Sequence, residues 1–160
     1  MPTLVHLADE RNAEAIRKNG IKPIIKGLGI YAMPVMQNFY LSHQWLRELK
    51  SSGARIIIGV YFKVDSSEMV YVGRYNKRHQ LVNLGSAVKI IMEAEDALGY
   101  EIIINRKIGP KEISKIKHLP QVIGWRYFPE SNNVRPCYCE FCLKGTIKGR
   151  KTLDRQSVKD

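Results

Sequence analysis

Apolar residues along this chain fall into short blocks separated by polar or glycine-containing stretches. The blocks at 4–8, 30–33, 54–64 and 69–72 are mostly apolar, the block at 54–64 is rich in β-branched residues, and another block begins at Glu101. Such blocks predict β-strands, and the long run within 54–64 predicts a strand that is buried on both faces. A last strand is predicted at 121–128, where apolar residues and tryptophan precede a proline.

Apolar residues three or four positions apart predict helices between these strands, at about 9–19, 36–50 and 86–98, with a short one at 111–117. Asp9 is a plausible N-cap of the first helix, and Gly20 can supply the left-handed residue that closes it. The strands are unevenly spaced, which argues against a repeat array or a regular βαβ winding. We therefore predict an α+β fold.

The length of 160 residues suits one domain with a core of its own. No apolar run approaches the roughly 20 residues that span a bilayer. Residues 1–3 are not the start of a charged-then-apolar leader, so we expect no secretory signal. These features predict a cytoplasmic protein without a membrane partner.

The charge balance is strongly basic, with 26 Lys and Arg against 15 Asp and Glu, a formal net charge of +11. Clustered cations gain free energy by replacing counterions on phosphate, so the excess favours a nucleic-acid partner. The densest cluster, 74–79, is predicted to be an exposed loop, with Arg74, Lys77 and Arg78 as candidate phosphate contacts. Diffuse basic charge without a dedicated partner is the alternative.

Three cysteines, Cys137, Cys139 and Cys142, lie within six residues of one another. An odd and local set is a poor disulfide framework, but thiolates at this spacing can converge on one zinc ion. A closed site needs a fourth ligand, which is either the neighbouring Glu140 or a histidine that tertiary folding brings in, His43, His79 or His118. Reduced thiols in a tight turn are the alternative.

Three further residues stand in distinctive settings. His6 lies in the apolar block 4–8, ahead of a helix that contains Ile16 and ends at 19–21 (Asn-Gly-Ile); Tyr31 follows a glycine-punctuated loop; Glu101 opens the apolar run that follows Gly99. A His, a Tyr and a Glu in this order and in these settings resemble the signature of the ADP-ribosyltransferase-like family, including its DNA-modifying toxin branch.

The resemblance implies an ADP-ribosyltransferase-like split β-sandwich with flanking helices, and nicotinamide adenine dinucleotide (NAD) as a substrate. In such an enzyme His6 would hydrogen-bond the adenosine ribose and Tyr31 would stack on the nicotinamide ring. Glu101 would bind the nicotinamide ribose and stabilise the positive charge that develops as the glycosidic bond breaks. Gly99 stands where arginine-modifying members carry a second acidic residue or a glutamine, so an acceptor other than arginine is expected.

The sequence therefore predicts an ADP-ribosyltransferase-like domain at 1–128, a cysteine-containing segment packed on it at 129–147, and a basic flexible tail at 148–160. The predicted function is NAD-dependent ADP-ribosyl transfer to a nucleic acid or a protein. Two alternatives stay open: a non-catalytic nucleic-acid-binding protein with a cysteine-stabilised segment, and a degenerate family member that keeps only the fold. The oligomeric state is not predicted.

Overall fold

The computed structural model describes residues 1–23, 29–51 and 53–121, and the strands of this part form one antiparallel sheet. The order across the sheet is β5-β4-β6-β2-β1-β3-β7. The strands are β1 Thr3–Asp9, β2 Ile30–Pro34, β3 Ile57–Lys63, β4 Met69–Arg74, β5 Gln80–Asn83, β6 Tyr100–Ile104 and β7 Ile113–His118. The α-helices are α1 Ala13–Asn19, α2 Phe39–Ser42, α3 Leu46–Ser51 and α4 Leu84–Glu93. The α+β class predicted from the sequence is confirmed.

The sheet consists of two halves that meet between β1 and β2, a junction we call the seam. β1 pairs with β3 along its whole length, from Thr3 opposite Lys63 to Asp9 opposite Ile57. Across the seam the pairing covers two positions only, and Val5 opposite Met33 is the last of them. The main chains of β1 and β2 therefore separate beyond Val5, just before His6.

The core lies on both sides of β3, as its unbroken apolar run predicted. The β3 side chains from Ile57 to Phe62 are buried, and the inner face of α4 adds Leu84, Ala87 and Ile91. Helix α4 begins two residues earlier than predicted, because Asn83 caps it by accepting a hydrogen bond from the Ser86 amide. It ends at Glu93, five residues earlier than expected, since Ala94 is extended.

The first helix has the predicted ends, although a 3₁₀ turn at Glu10–Asn12 precedes α1. The Asp9 side chain accepts a hydrogen bond from the Arg11 amide at 2.9 Å, and Gly20 closes α1 with a φ of 78°. A Cβ on Gly20 would collide with the carbonyl oxygen of Ile108. Only glycine therefore lets the end of α1 approach the segment that follows β6 this closely.

The helix predicted at 36–50 is wrong in its middle, where α2 and α3 are separated by residues 43–45. Two of the side chains there bond to main-chain groups at and just before the start of β6. The side chain of Gln44 bonds the Ala97 carbonyl and the Gly99 amide, and the indole of Trp45 donates to the Tyr100 carbonyl. Nδ1 of His43 donates to the Phe39 carbonyl at the start of α2. The bonds of Gln44 and Trp45 fix this segment against β6, and continuous helix is lost.

The helix predicted at 111–117 is also wrong: a single 3₁₀ turn, Pro110–Glu112, leads into β7. β7 pairs with β3 from Phe62 opposite Ile113 to Ile58 opposite His118. A helix would leave the buried edge of β3 without partners for its amides and carbonyls, and this requirement outweighs local helical spacing.

Two strands remain to be compared with the sequence-based expectations. β5 was not predicted, because its four residues lie in a polar stretch and are mostly exposed. The strand predicted at 121–128 falls, apart from Gln121, outside the described residues, as do the proposed boundaries at 128 and 147. No helix in the described ranges is long and apolar enough to cross a bilayer.

Candidate functional site

A cavity of about 300 Å³ opens at the seam, and its walls include His6, Tyr31 and Glu101. His6 lies on β1, on one side of the gap where β1 and β2 separate. Tyr31 on β2 and Glu101 on β6 lie on the other side. Residues up to 95 positions apart in the chain, from His6 to Glu101, thus face the same space. The cavity lies between the sheet and the α2–α3 segment, which adds Ser42, Trp45, Glu48 and Leu49 to the walls.

His6 bridges the gap that the missing main-chain pairing leaves at the seam. Its Nδ1 lies 2.8 Å from the main-chain oxygen of Tyr31. A carbonyl oxygen only accepts hydrogen bonds, so Nδ1 carries the proton and Nε2 carries the lone pair. Burial lowers the pKa of His6, which favours the neutral ring at pH 7. Nε2 is therefore available as a hydrogen-bond acceptor for a donor such as a hydroxyl group.

Tyr31 and Glu101 lie on the same face of the sheet. Tyr31 pairs with Ile103 across β2 and β6, and Glu101 is two residues from Ile103 on β6. The two side chains are therefore diagonal neighbours on adjacent strands. Burial raises the pKa of the Tyr31 phenol, and the negative charge of Glu101 raises it further. The residue is still 42% exposed, so a planar ligand group can reach it.

Glu101 is held by His79, which in the sequence stands out only as a loop cation and a candidate metal ligand. Oε1 of Glu101 lies 3.0 Å from Nε2 of His79. Burial raises the pKa of Glu101. His79 acts in the opposite direction, through its positive charge and through its hydrogen bond. A structural ion pair between Glu101 and Arg106 is absent among the described contacts, since Arg106 binds Glu68 and Glu112 instead.

The α2–α3 segment supplies the wall residues that sequence reasoning missed. Trp45 and Glu48 line the cavity together with the buried Ser42, although none of the three stood out in the sequence. Ser42 accepts a hydrogen bond from the Met36 amide at 2.8 Å. The spacing of three and four positions between 42, 45 and 49 was the available sequence signal, but the serine at 42 does not fit an apolar pattern.

A second cavity, of about 360 Å³, adjoins the first and shares His6, Leu7 and Leu49 with it. Its remaining walls come mainly from α1 and the residues around it, among them Asn12 and Asn19. His6 thus stands between two cavities.

The candidate phosphate contacts divide into two groups. Arg74 is engaged within the protein, because its guanidinium donates to the Leu98 carbonyl at 2.9 Å and lies near Asp96. Lys77 and Arg78 are exposed at the tip of the β4–β5 loop, which we define as residues 75–79. The loop predicted at 74–79 is present from 75 onward, since Arg74 is the last residue of β4, and its exposed cations are Lys77 and Arg78.

The zinc prediction rests on Cys137, Cys139 and Cys142, which lie outside the described residues. Within the described ranges no group of three or more His, Cys, Asp or Glu side chains could hold a metal ion. Two of the histidines proposed as a fourth ligand have partners: His43 accepts a hydrogen bond from the Tyr61 hydroxyl at 2.8 Å, and His79 binds Glu101. His118 is exposed, with Nδ1 3.8 Å from Glu10.

Comparison of the chain with protein-family models, with curated proteins and with solved structures finds no match.

Proposed function

We propose that this protein is an ADP-ribosyltransferase that cleaves NAD and transfers ADP-ribose to a nucleic acid, on a sheet of the ADP-ribosyltransferase-like split-sandwich type. The observation that carries the proposal is that His6, Tyr31 and Glu101 line one cavity at the seam. The two halves of the sheet, joined by two pairing positions, are consistent with a split sandwich.

The chemistry of the wall suits a nicotinamide ribose. Tyr31 offers an aromatic face on which the nicotinamide ring can stack, and the carboxylate of Glu101 accepts a hydrogen bond from a ribose hydroxyl. Nε2 of His6 accepts another, from the adenosine ribose in the role that the family resemblance gives it. A cavity of about 300 Å³ is at the small end for a ligand site. It takes one end of the dinucleotide, and the adjoining cavity beyond His6 offers room for the other.

The reaction breaks the bond between C1′ of the ribose and the nicotinamide nitrogen. The electron pair of this bond stays on the nitrogen, and nicotinamide leaves as a neutral molecule. The ribose becomes oxocarbenium-like, and the negative charge of Glu101 stabilises this state. A nucleophilic atom of the acceptor forms the new bond to C1′ and releases its proton to solvent. Glu101 must be ionised for this role, and the hydrogen bond from His79 favours the ionised form.

Charge favours a nucleic acid as the acceptor. The net charge is +11, and Lys77 and Arg78 are exposed on the loop whose last residue contacts Glu101. A phosphate backbone bound there would lie on the loop that contacts the cavity residue Glu101. Single strands fit best, because their bases are accessible to an enzyme that modifies them.

The decisive experiment compares wild type with Glu101→Gln, which keeps the shape of the side chain and removes its charge. Nicotinamide release from NAD and transfer of labelled ADP-ribose to single-stranded oligonucleotides are measured, with circular dichroism as the folding check. We expect Glu101→Gln to fold normally and to lose transfer by about 100-fold or more. Glu95→Gln, at an exposed residue on the α4–β6 connection, is the matched control. Equal transfer by wild type and Glu101→Gln would refute the role of the carboxylate.

The exposed pair Lys77 and Arg78 also supports a second candidate function, binding of nucleic acid without catalysis. Calorimetric titration separates the two. The transferase binds NAD in the absence of nucleic acid, whereas the binding protein shows salt-dependent affinity for oligonucleotides and no heat with NAD.

A further inference from the structure

We propose that His79 is a positioning residue of the site, which holds the carboxylate of Glu101 in the orientation and charge state that bond cleavage requires. The inference rests on the proposed function for its catalytic meaning. The contact between the two side chains is independent of that function.

The contact is short and sheltered from solvent. Nε2 of His79 lies 3.0 Å from Oε1 of Glu101, and the side chains are 17% and 13% exposed. Toward an ionised carboxylate, Nε2 of His79 donates the hydrogen bond. A charge-assisted bond at this depth fixes one carboxylate oxygen and leaves the other for a ligand.

A glycine creates the space that His79 occupies. Gly73 lies directly opposite Glu101 in the β4–β6 pairing. A Cβ on Gly73 would stand 3.1 Å from Cα and 3.2 Å from Cγ of His79. Glycine weakens a strand interior, and one of its uses there is to allow a close approach of another group. Here it lets the His79 ring pass over β4 and reach Glu101.

The rest of the β4–β5 loop is fixed beside the cavity as well. The Tyr75 amide donates to the Gly99 carbonyl at 2.9 Å, and the Lys77 amide donates to the Arg74 carbonyl at the same distance. The Tyr75 ring meets the Trp45 ring edge-on, with centroids 5.8 Å apart. His79 is therefore presented by an anchored loop, and a polyanion bound at its tip would lie one residue from the group that holds Glu101.

The other ionisable groups around Glu101 do not replace this partner. His6 on β1 donates to the Tyr31 carbonyl, and Glu48 on α3 and the phenol of Tyr31 on β2 carry no positive charge. Arg74 on β4 is directed at Asp96 and the Leu98 carbonyl. Among the described residues, His79 is the partner that hydrogen-bonds the buried carboxylate.

The test uses the full chain and four variants. His79→Ala removes the contact, and His79→Gln keeps a side-chain amide that can donate the same bond. Gly73→Ala fits the strand backbone but crowds the His79 ring. His118→Ala, at an exposed histidine at the end of β7, is the control. Two readouts are taken: carbon-detected NMR titration of the Glu101 carboxyl group, and nicotinamide release as a function of pH.

We expect His79→Ala to move the Glu101 titration midpoint to higher pH, because burial still raises the pKa of Glu101 while the opposing effect of His79 is gone. The acidic limb of kcat should move the same way, and kcat at pH 6 should fall by about tenfold with little change in KM. Gly73→Ala should behave similarly, His79→Gln should recover most of the rate, and His118→Ala should match wild type.

Three outcomes would each refute one of the claims: the contact itself, its role in catalysis, or the proposed function. An unchanged Glu101 midpoint in both His79→Ala and Gly73→Ala refutes the hold of His79 on Glu101. A shifted midpoint with an unchanged pH–rate profile refutes the positioning role in catalysis. A shifted midpoint without nicotinamide release by the wild-type protein supports the hold of His79 on Glu101 and refutes the proposed function.

Discussion

The side chain of His6 donates a hydrogen bond to the main-chain oxygen of Tyr31, 2.8 Å away, at the point where β1 and β2 stop pairing. One imidazole therefore performs two tasks. Nδ1 connects the two strands across the opening, and Nε2 is presented as an acceptor. The two tasks use different ring nitrogens, so substitution can separate them.

His6→Asn is expected to preserve the fold and weaken dinucleotide binding. The asparagine amide can donate from about the position of Nδ1, but it has no acceptor at the position of Nε2. Loss of one hydrogen bond to a ligand hydroxyl costs about 1 kcal/mol, or about five- to tenfold in Kd. Calorimetric titration with NAD measures the change. His6→Ala, which removes both bonds, should also lower the thermal midpoint, and equal affinity of wild type and His6→Asn would contradict the acceptor role.

Replacing Lys77 and Arg78 together by glutamine should weaken nucleic-acid binding in a salt-dependent way. Each cation that contacts a phosphate releases a counterion, so the slope of log K against log salt should become shallower by about 0.7 per lost contact on a single strand. Fluorescence anisotropy with an oligonucleotide between 50 and 200 mM salt, a range of about fourfold, reports the slope. Lys89→Gln, on α4 and paired with Glu93, is the control. An unchanged slope in the double variant would place the acceptor elsewhere.

Gly20→Ala should lower the free energy of unfolding by about 3 kcal/mol or more, because a positive φ and a collision with the Ile108 carbonyl act together. Gly53→Ala is a matched control. Gly53 also has a positive φ, of 106°, but a Cβ there meets nothing within 4 Å in the described part of the chain. Its cost should be about 1 to 2 kcal/mol. Urea unfolding of both variants measures the difference, and equal losses would show that the approach of α1 to Ile108 relaxes freely.

The protein should lose stability in acid through Asp9 and Glu112. Hydrogen bonds from Arg11 hold the pKa of Asp9 far below its usual range, and hydrogen bonds from Arg106 lower that of Glu112. A lowered carboxyl pKa contributes stability above the unfolded-state value, near 4, and this contribution disappears as pH falls through and below it. Urea unfolding should therefore give falling free energies from about pH 5 downward.

Glu112→Gln isolates one part of this acid effect. It should lower the free energy of unfolding by about 1 to 2 kcal/mol at pH 7 and by much less at pH 3, because protonation of Glu112 removes its stabilising contribution in wild type too. Glu95→Gln should change little at either pH. A constant difference between wild type and Glu112→Gln across this range would contradict the assignment to the Arg106 hydrogen bonds.

Local sequence patterns predicted most of the strands and both ends of the first helical segment. Short apolar blocks mark β1, β2, β3, β4 and β6, because apolar side chains suit the buried positions of a pleated sheet. The errors at 43–45 and 111–117 share a cause. In both places, hydrogen bonds to distant groups, the start of β6 and the edge of β3, outweigh local helical spacing.

The site was accessible from sequence only through the family resemblance, which singled out His6, Tyr31 and Glu101. Their convergence on one cavity depends on the strand order, which local patterns do not encode. The contact between His79 and Glu101 could not be predicted, since it requires the pairing of Gly73 with Glu101 and the missing side chain of Gly73. In the sequence His79 is one more cation in a basic loop.

The seam also bears on how such a cleft can change over generations. Only two paired positions join its strands, so the main chain does not fix the angle at which the halves of the sheet meet. Replacements in the core, which contains residues of both halves, can alter this angle while every strand pairing is kept. A lineage can therefore widen or narrow its cleft for a new ligand without touching the residues that line it.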